Sequence, residues 1–239
     1  MTWTGVALGC GIAVAYGLVS GRLVAARLAA GRHRRYEDER TRPAPSYRLL
    51  PAAIALITAL VAAALLTGST RPEGTGSVWP QGYDLAAAVA AAAYVLPVPL
   101  YAALAAIDLD VHRLPDRLTL PAYPAVAGAL AATCLAGTPW EALRRGLLGG
   151  LVLFAAFALL WAASRGRFGL GDVKLAGTLG ILLAWLSWGR LLGGAYAMFL
   201  VGGLAAVVLI VRRRAGRDTP IAFGPAMAAG ALLGICLPG

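Results

Sequence analysis

Predominantly apolar runs, cut apart by arginine, proline or glycine, occupy most of this chain, and nothing else constrains its fold as strongly. The hydrocarbon core of a bilayer is about 30 Å thick and takes roughly 20 helical residues per crossing. Runs near that length stand at 3–29, 49–68, 84–107, 118–137, 144–163, 173–189, 190–211 and 221–237. They predict an all-α polytopic membrane protein of about eight transmembrane helices. Composition agrees: 59% of the 239 residues are hydrophobic and 13% charged, against about 25% charged in a soluble domain. One water-facing core cannot bury so much apolar side chain, which excludes a soluble enzyme, a disordered tail and a fibre. The first run has no small-residue cleavage site and continues into Arg22 and Arg27, so it reads as a retained helix, not a removed signal peptide.

The net charge of +10 would suggest nucleic acid in a soluble protein. Here it reads as membrane orientation, and no nucleic-acid partner is expected. With eight spans, 17 of the 21 basic residues fall on one side, and only Arg71, Arg144, Arg145 and Arg190 on the other. The basic side is then cytoplasmic, and both ends of the chain face out. The whole of 1–239 reads as one integral membrane domain. Residues 30–48 form a charged, proline-containing stretch that reads as a solvated cytoplasmic connector. Glu37, Asp38 and Glu39 belong to it, and His33 within it reads as a surface residue. Cys10, Cys134 and Cys236 are far apart, each in an apolar run. They read as small buried hydrophobes, and neither a zinc site nor a redox motif is expected. No internal repeat supports a duplicated transporter.

Four acids stand at the cytoplasmic ends of spans: Asp108, Asp110, Asp116 and Asp172. Span 3 carries no charge from Leu85 to Ile107, and then Asp108 appears. A carboxylate at that depth is costly and is a functional candidate by default. Asp116 follows Pro115 and precedes an apolar run, so it reads as a helix cap. His112 reads as solvated. The second site is Gly169-Leu170-Gly171-Asp172-Val173-Lys174. Its two glycines would allow unusual backbone conformations and close approach to a substrate. Lys174 reads either as a partner tuning a nearby carboxylate or holding substrate, or as a snorkelling lysine. Two aspartates at one end of a bundle can share a proton, so that one accepts a proton from water while the other polarises a peptide carbonyl. No serine or cysteine has a suitable base nearby in sequence.

The stretch from Ile107 through Pro121, with Leu114-Pro115-Asp116, resembles the first signature of bacterial type IV prepilin peptidases. Gly169-Leu170-Gly171-Asp172 resembles their GxGD element, shared with other membrane aspartyl proteases, and Thr219–Pro225 resembles the segment before their last helix. The resemblance covers 85–239 well, which would be the catalytic core, and the N-terminal third loosely. It implies Asp108 and Asp172 as the catalytic pair, with Asp110 as alternative to Asp108. Supporting positions would be Asp110, Lys174, Gly169, Gly171, Asp116 and Pro115. It implies an aspartic endopeptidase of the bacterial cytoplasmic (inner) membrane. That enzyme would cut the short basic leader of prepilins or pseudopilins after a glycine, at the cytoplasmic face and without a cofactor. The family's bifunctional members carry two zinc-binding CxxC pairs in the first cytoplasmic loop and also N-methylate their product. Here that loop is short and lacks cysteine, which counts against zinc and, less strongly, against methylation. A proton-coupled transporter and an inactive assembly scaffold are the other readings open to these residues.

Overall fold

In the computed structural model, residues 3–41, 43, 45–67, 85–164, 168–212 and 222–236 are described. They form ten helices: α1 (Trp3–Ala29), α2 (Glu37–Thr41), α3 (Leu50–Leu66), α4 (Leu85–Val95), α5 (Val98–Val111), α6 (Asp116–Leu135), α7 (Trp140–Ala163), α8 (Leu170–Leu186), α9 (Trp188–Val211) and α10 (Gly224–Cys236). Each of the eight apolar runs is helical over most of its described residues. Five helical stretches are long and apolar enough to cross a membrane: α1, α4 with α5, α6, α7 and α9. The helices α3 and α10 are apolar but shorter, and α8 has 17 residues. Arg71 and Thr219 to Ile221, named above, lie outside the described residues, as do Arg42, Arg165, Arg167, Arg213, Arg214 and Arg217 of the basic side.

Helix α8 is the axis of the bundle. Every residue from Leu175 to Leu186 is buried, as is expected of a helix apolar on all sides. In a bilayer, association rests on close packing and interhelical hydrogen bonds, and α8 uses both. Against α7 the contact is built from glycines: a Cβ on Gly149 would lie 2.0 Å from that of Ala184, and one on Gly150 2.9 Å from the Gly177 carbonyl. The hydroxyl of Tyr94 on α4 donates to the Leu182 carbonyl at 2.6 Å, and that of Tyr123 on α6 to the Lys174 carbonyl at 2.7 Å.

The far end of α8 explains two arginines that lie against the charge asymmetry. The last carbonyls of a helix have no partner within it. Arg145 donates to Ala184, Trp185 and Leu186 at 2.7, 2.6 and 3.0 Å. Arg190 does the same for α10, reaching the carbonyls of Gly234 and Ile235 at 3.0 and 2.7 Å. Both cations stand at the negative pole of a helix dipole.

Helix α1 lies on α3, where Gly17 and Gly21 bring the two backbones together. A Cβ there would meet Ala55 Cα at 2.5 Å and Pro51 Cα at 2.6 Å. Helices α4 and α5 are one crossing, broken at Leu96-Pro97 because proline cannot supply the helical hydrogen bond. The Leu96 carbonyl at the break accepts from Tyr16 of α1 at 2.8 Å.

Candidate active site at the basic end of the bundle

Helix α5 runs to Val111, four residues beyond the expected end of that span. Asp108 therefore stands inside its last turn and is 5% exposed. The helix stops at His112, which takes a left-handed conformation (φ 53°) while its N–H closes on the Asp108 carbonyl. His112 is exposed, as read from the sequence. The turn that follows carries Leu114 back against Gly171, where a Cβ would come within 2.8 Å of Leu114 Cβ.

Asp172, in the first turn of α8, is 9% exposed. The packing of Leu114 on Gly171 sets the end of α5 beside the start of α8. The expected pair is thus brought to one end of the bundle from two helices 64 residues apart. Neither glycine of the GxGD string has a positive φ. What they supply is space: Gly171 receives Leu114, and a Cβ on Gly169 would lie 3.0 Å from Asp172 Oδ2. The expectation of unusual backbone conformations is corrected accordingly.

A third contributor is the segment before α10. Gly224 N–H donates to Asp108 Oδ2 at 2.8 Å. A side chain there would press on the same carboxylate, 2.9 Å from that oxygen. The sequence had marked this segment only by resemblance and given it no chemical role. An aromatic cluster flanks these segments. Phe168 and Phe223, next to the two motifs, meet at 5.6 Å and both contact Phe157 of α7.

Asp110, the alternative acid, is occupied otherwise. Its Oδ1 accepts from Arg34 Nη2 at 2.7 Å, and its Oδ2 lies 2.8 Å from Arg34 Nε and 2.6 Å from His33 Nε2. All three side chains are at most 7% exposed. The connector at 30–48 is therefore docked, not solvated, at its key positions. Glu39 is also buried, takes the N–H groups of Arg35 and Tyr36, and pairs with Arg113. His33, read as a surface residue, belongs to this anchor. Composition hid it, because a charge-rich stretch looks solvated until its partners on another helix are known.

Asp116 is the first residue of α6 but makes no side-chain cap. It pairs instead with Lys174 at 2.6 Å. That corrects the capping role, and it gives Lys174 a surface partner instead of either catalytic candidate. Pro115 sets the extended residue before α6, and its carbonyl receives the N–H groups of Leu118 and Thr119. Among the described residues no cluster of three or more His, Cys, Asp or Glu is arranged to hold a metal ion.

Residues 94–211, which carry both aspartates, match the type IV leader peptidase family. The chain belongs to that family. Proteins named prepilin leader peptidase/N-methyltransferase are similar to it. The one from Aeromonas hydrophila is 38% identical over 131 residues, 53% of this chain and 42% of that protein. Those from Dickeya chrysanthemi and Burkholderia pseudomallei are 33% and 32% identical, covering 68% and 70% of this chain and 54% and 50% of theirs. The chain thus spans about half the length of these relatives. No solved structure matches it. The family and the helices together make it a multi-pass membrane protein.

Proposed function

We propose that the chain is a membrane aspartic endopeptidase that removes the short basic leader of prepilins or pseudopilins after a glycine, at the cytoplasmic face. The observation that carries this reading is that Asp108 and Asp172, both buried, stand at the ends of α5 and α8 that Leu114 and Gly171 hold together. Two carboxylates so placed hold one proton between them. The Gly224 N–H favours the charge on Asp108, which makes Asp108 the base and Asp172 the acid. Asp108 takes a proton from water, the oxygen attacks the peptide carbonyl, and Asp172 protonates the carbonyl oxygen. Collapse returns that proton to Asp172 while Asp108 protonates the departing amine, so the pair regains its single shared proton. Asp110 takes no part in the chemistry, because Arg34 and His33 hold it. The relatives' names include N-methyltransferase, but the chain shares only about half of their length and its first cytoplasmic loop has no cysteine. Methylation is left out of the proposal.

The test is co-expression in membranes with a prepilin that has a basic leader and a glycine before its apolar segment. Intact mass of the substrate is the readout. Asp108→Asn and Asp172→Asn should each lower cleavage by about 10² or more, whereas Asp110→Asn, which keeps an acceptor for Arg34, should still cleave. Persistent cleavage in either of the first two variants would overturn the assignment. Cleavage by the wild type at another position would overturn the substrate.

A further inference from the structure

A crevice of about 810 Å³ opens between α1, α5 and α6, on the opposite side of α5 from α10. That is within the usual size of a small-molecule site. Its depth is apolar, lined by Leu23, Leu28, Leu100, Ala103 and Leu118. Its mouth holds four arginines: Arg27, Arg32, Arg35 and Arg117. Among the described residues none of these four makes an ion pair. The nearby acids are already committed, Glu39 to Arg113 and Asp116 to Lys174. A second, polar cavity shares His33, Arg35, Ile107, Pro115 and Arg117 with the first and adds Arg113 together with the ion-paired acids Glu39 and Asp116.

Four arginines without an ion-pair partner line one crevice, and each offers a fork that suits a bidentate anion. An apolar floor below them favours hydrocarbon. An amphiphile with an anionic head and an acyl tail satisfies both requirements in one molecule. Basic pockets between membrane helices at the cytoplasmic side bind such head groups. A soluble anion would leave the apolar depth unfilled, and a basic peptide would be repelled by the mouth. We propose that this crevice is a binding site for one anionic glycerophospholipid, with its phosphate at Arg27, Arg32, Arg35 and Arg117 and an acyl chain along Leu100, Ala103 and Leu118. The site is separate from the aspartate pair and stands whether or not the peptidase reading holds.

Native mass spectrometry of the full chain, extracted in mild detergent with phosphatidylglycerol or phosphatidylcholine added, tests it. The wild type should retain one phosphatidylglycerol and release phosphatidylcholine. Each arginine contributes about fivefold in affinity, so the combined change Arg27→Gln, Arg32→Gln, Arg35→Gln and Arg117→Gln should weaken retention several hundredfold. Ala103→Phe, which fills the floor and leaves the arginines in place, should also abolish it. A variant losing the same charge elsewhere, Arg22→Gln with Arg48→Gln, Arg144→Gln and Arg212→Gln, should keep the lipid. The proposal fails if the wild type retains no anionic lipid, if both crevice variants keep it, or if the charge-matched control loses it equally. Displacement by tail-free glycerol phosphate would show an anion site and not a lipid site. Displacement by an acidic peptide would make it a peptide-docking surface.

Discussion

Removing the Arg34 side chain tests whether the basic connector is an anchor of the active end or only a solvated loop. Arg34 donates two hydrogen bonds to Asp110, at 2.7 and 2.8 Å, from a position where both side chains are at least nine-tenths buried. Breaking a buried pair by deleting one partner typically costs 3–5 kcal/mol, mainly because the other charge is left uncompensated. Here His33 stays on Asp110 Oδ2, which puts Arg34→Met near the low end, about 3 kcal/mol. That is roughly a hundredfold in the ratio of folded to unfolded protein. Asp110→Asn keeps one acceptor and should cost less. The double variant should be less damaging than the sum of the two, with a coupling of about 2 kcal/mol. Denaturant titration in mixed micelles, followed by near-ultraviolet circular dichroism, measures all four corners of the cycle. Cleavage should fall as well, because Asp110 shares the last turn of α5 with Asp108. Arg34→Lys, which keeps the charge and loses the fork, should recover part of both. If Arg34→Met lies within about 0.5 kcal/mol of wild type, as exposed surface changes do, and is additive with Asp110→Asn, the anchor does not exist.

Two further changes probe the ends of the central helices. Gly224→Ala places a Cβ 2.9 Å from the Asp108 carboxylate, so cleavage should fall at least tenfold while the thermal midpoint moves little; full activity would show that the Gly224 contact does not position Asp108. Arg145→Met strips three donors from the last carbonyls of buried α8. At about 0.6 kcal/mol per hydrogen bond in a membrane protein, that costs roughly 2 kcal/mol. The exposed neighbour change Arg144→Met should cost nothing measurable, and equal melting of the two variants would refute the capping role.

Length and hydropathy alone determined that this chain is a helical membrane bundle, because a bilayer admits few other solutions for runs of this kind. The acids at the span ends, and the glycines beside one of them, marked the candidate site for the same reason: a charge at that depth is costly, and a bare backbone allows close approach. The tertiary structure decided which acid goes with which partner. It gave Asp108 to the Gly224 N–H, Asp110 to Arg34 and His33, and Asp116 to Lys174. These three aspartates look alike in sequence, but Asp108 and Asp110 face different neighbours from the last turn of α5 while Asp116 opens α6, and every partner comes from a distant segment. The same reason hid the docked connector. Arg34 and Asp110 are 76 residues apart, and no local pattern says that one will bury its charge against the other.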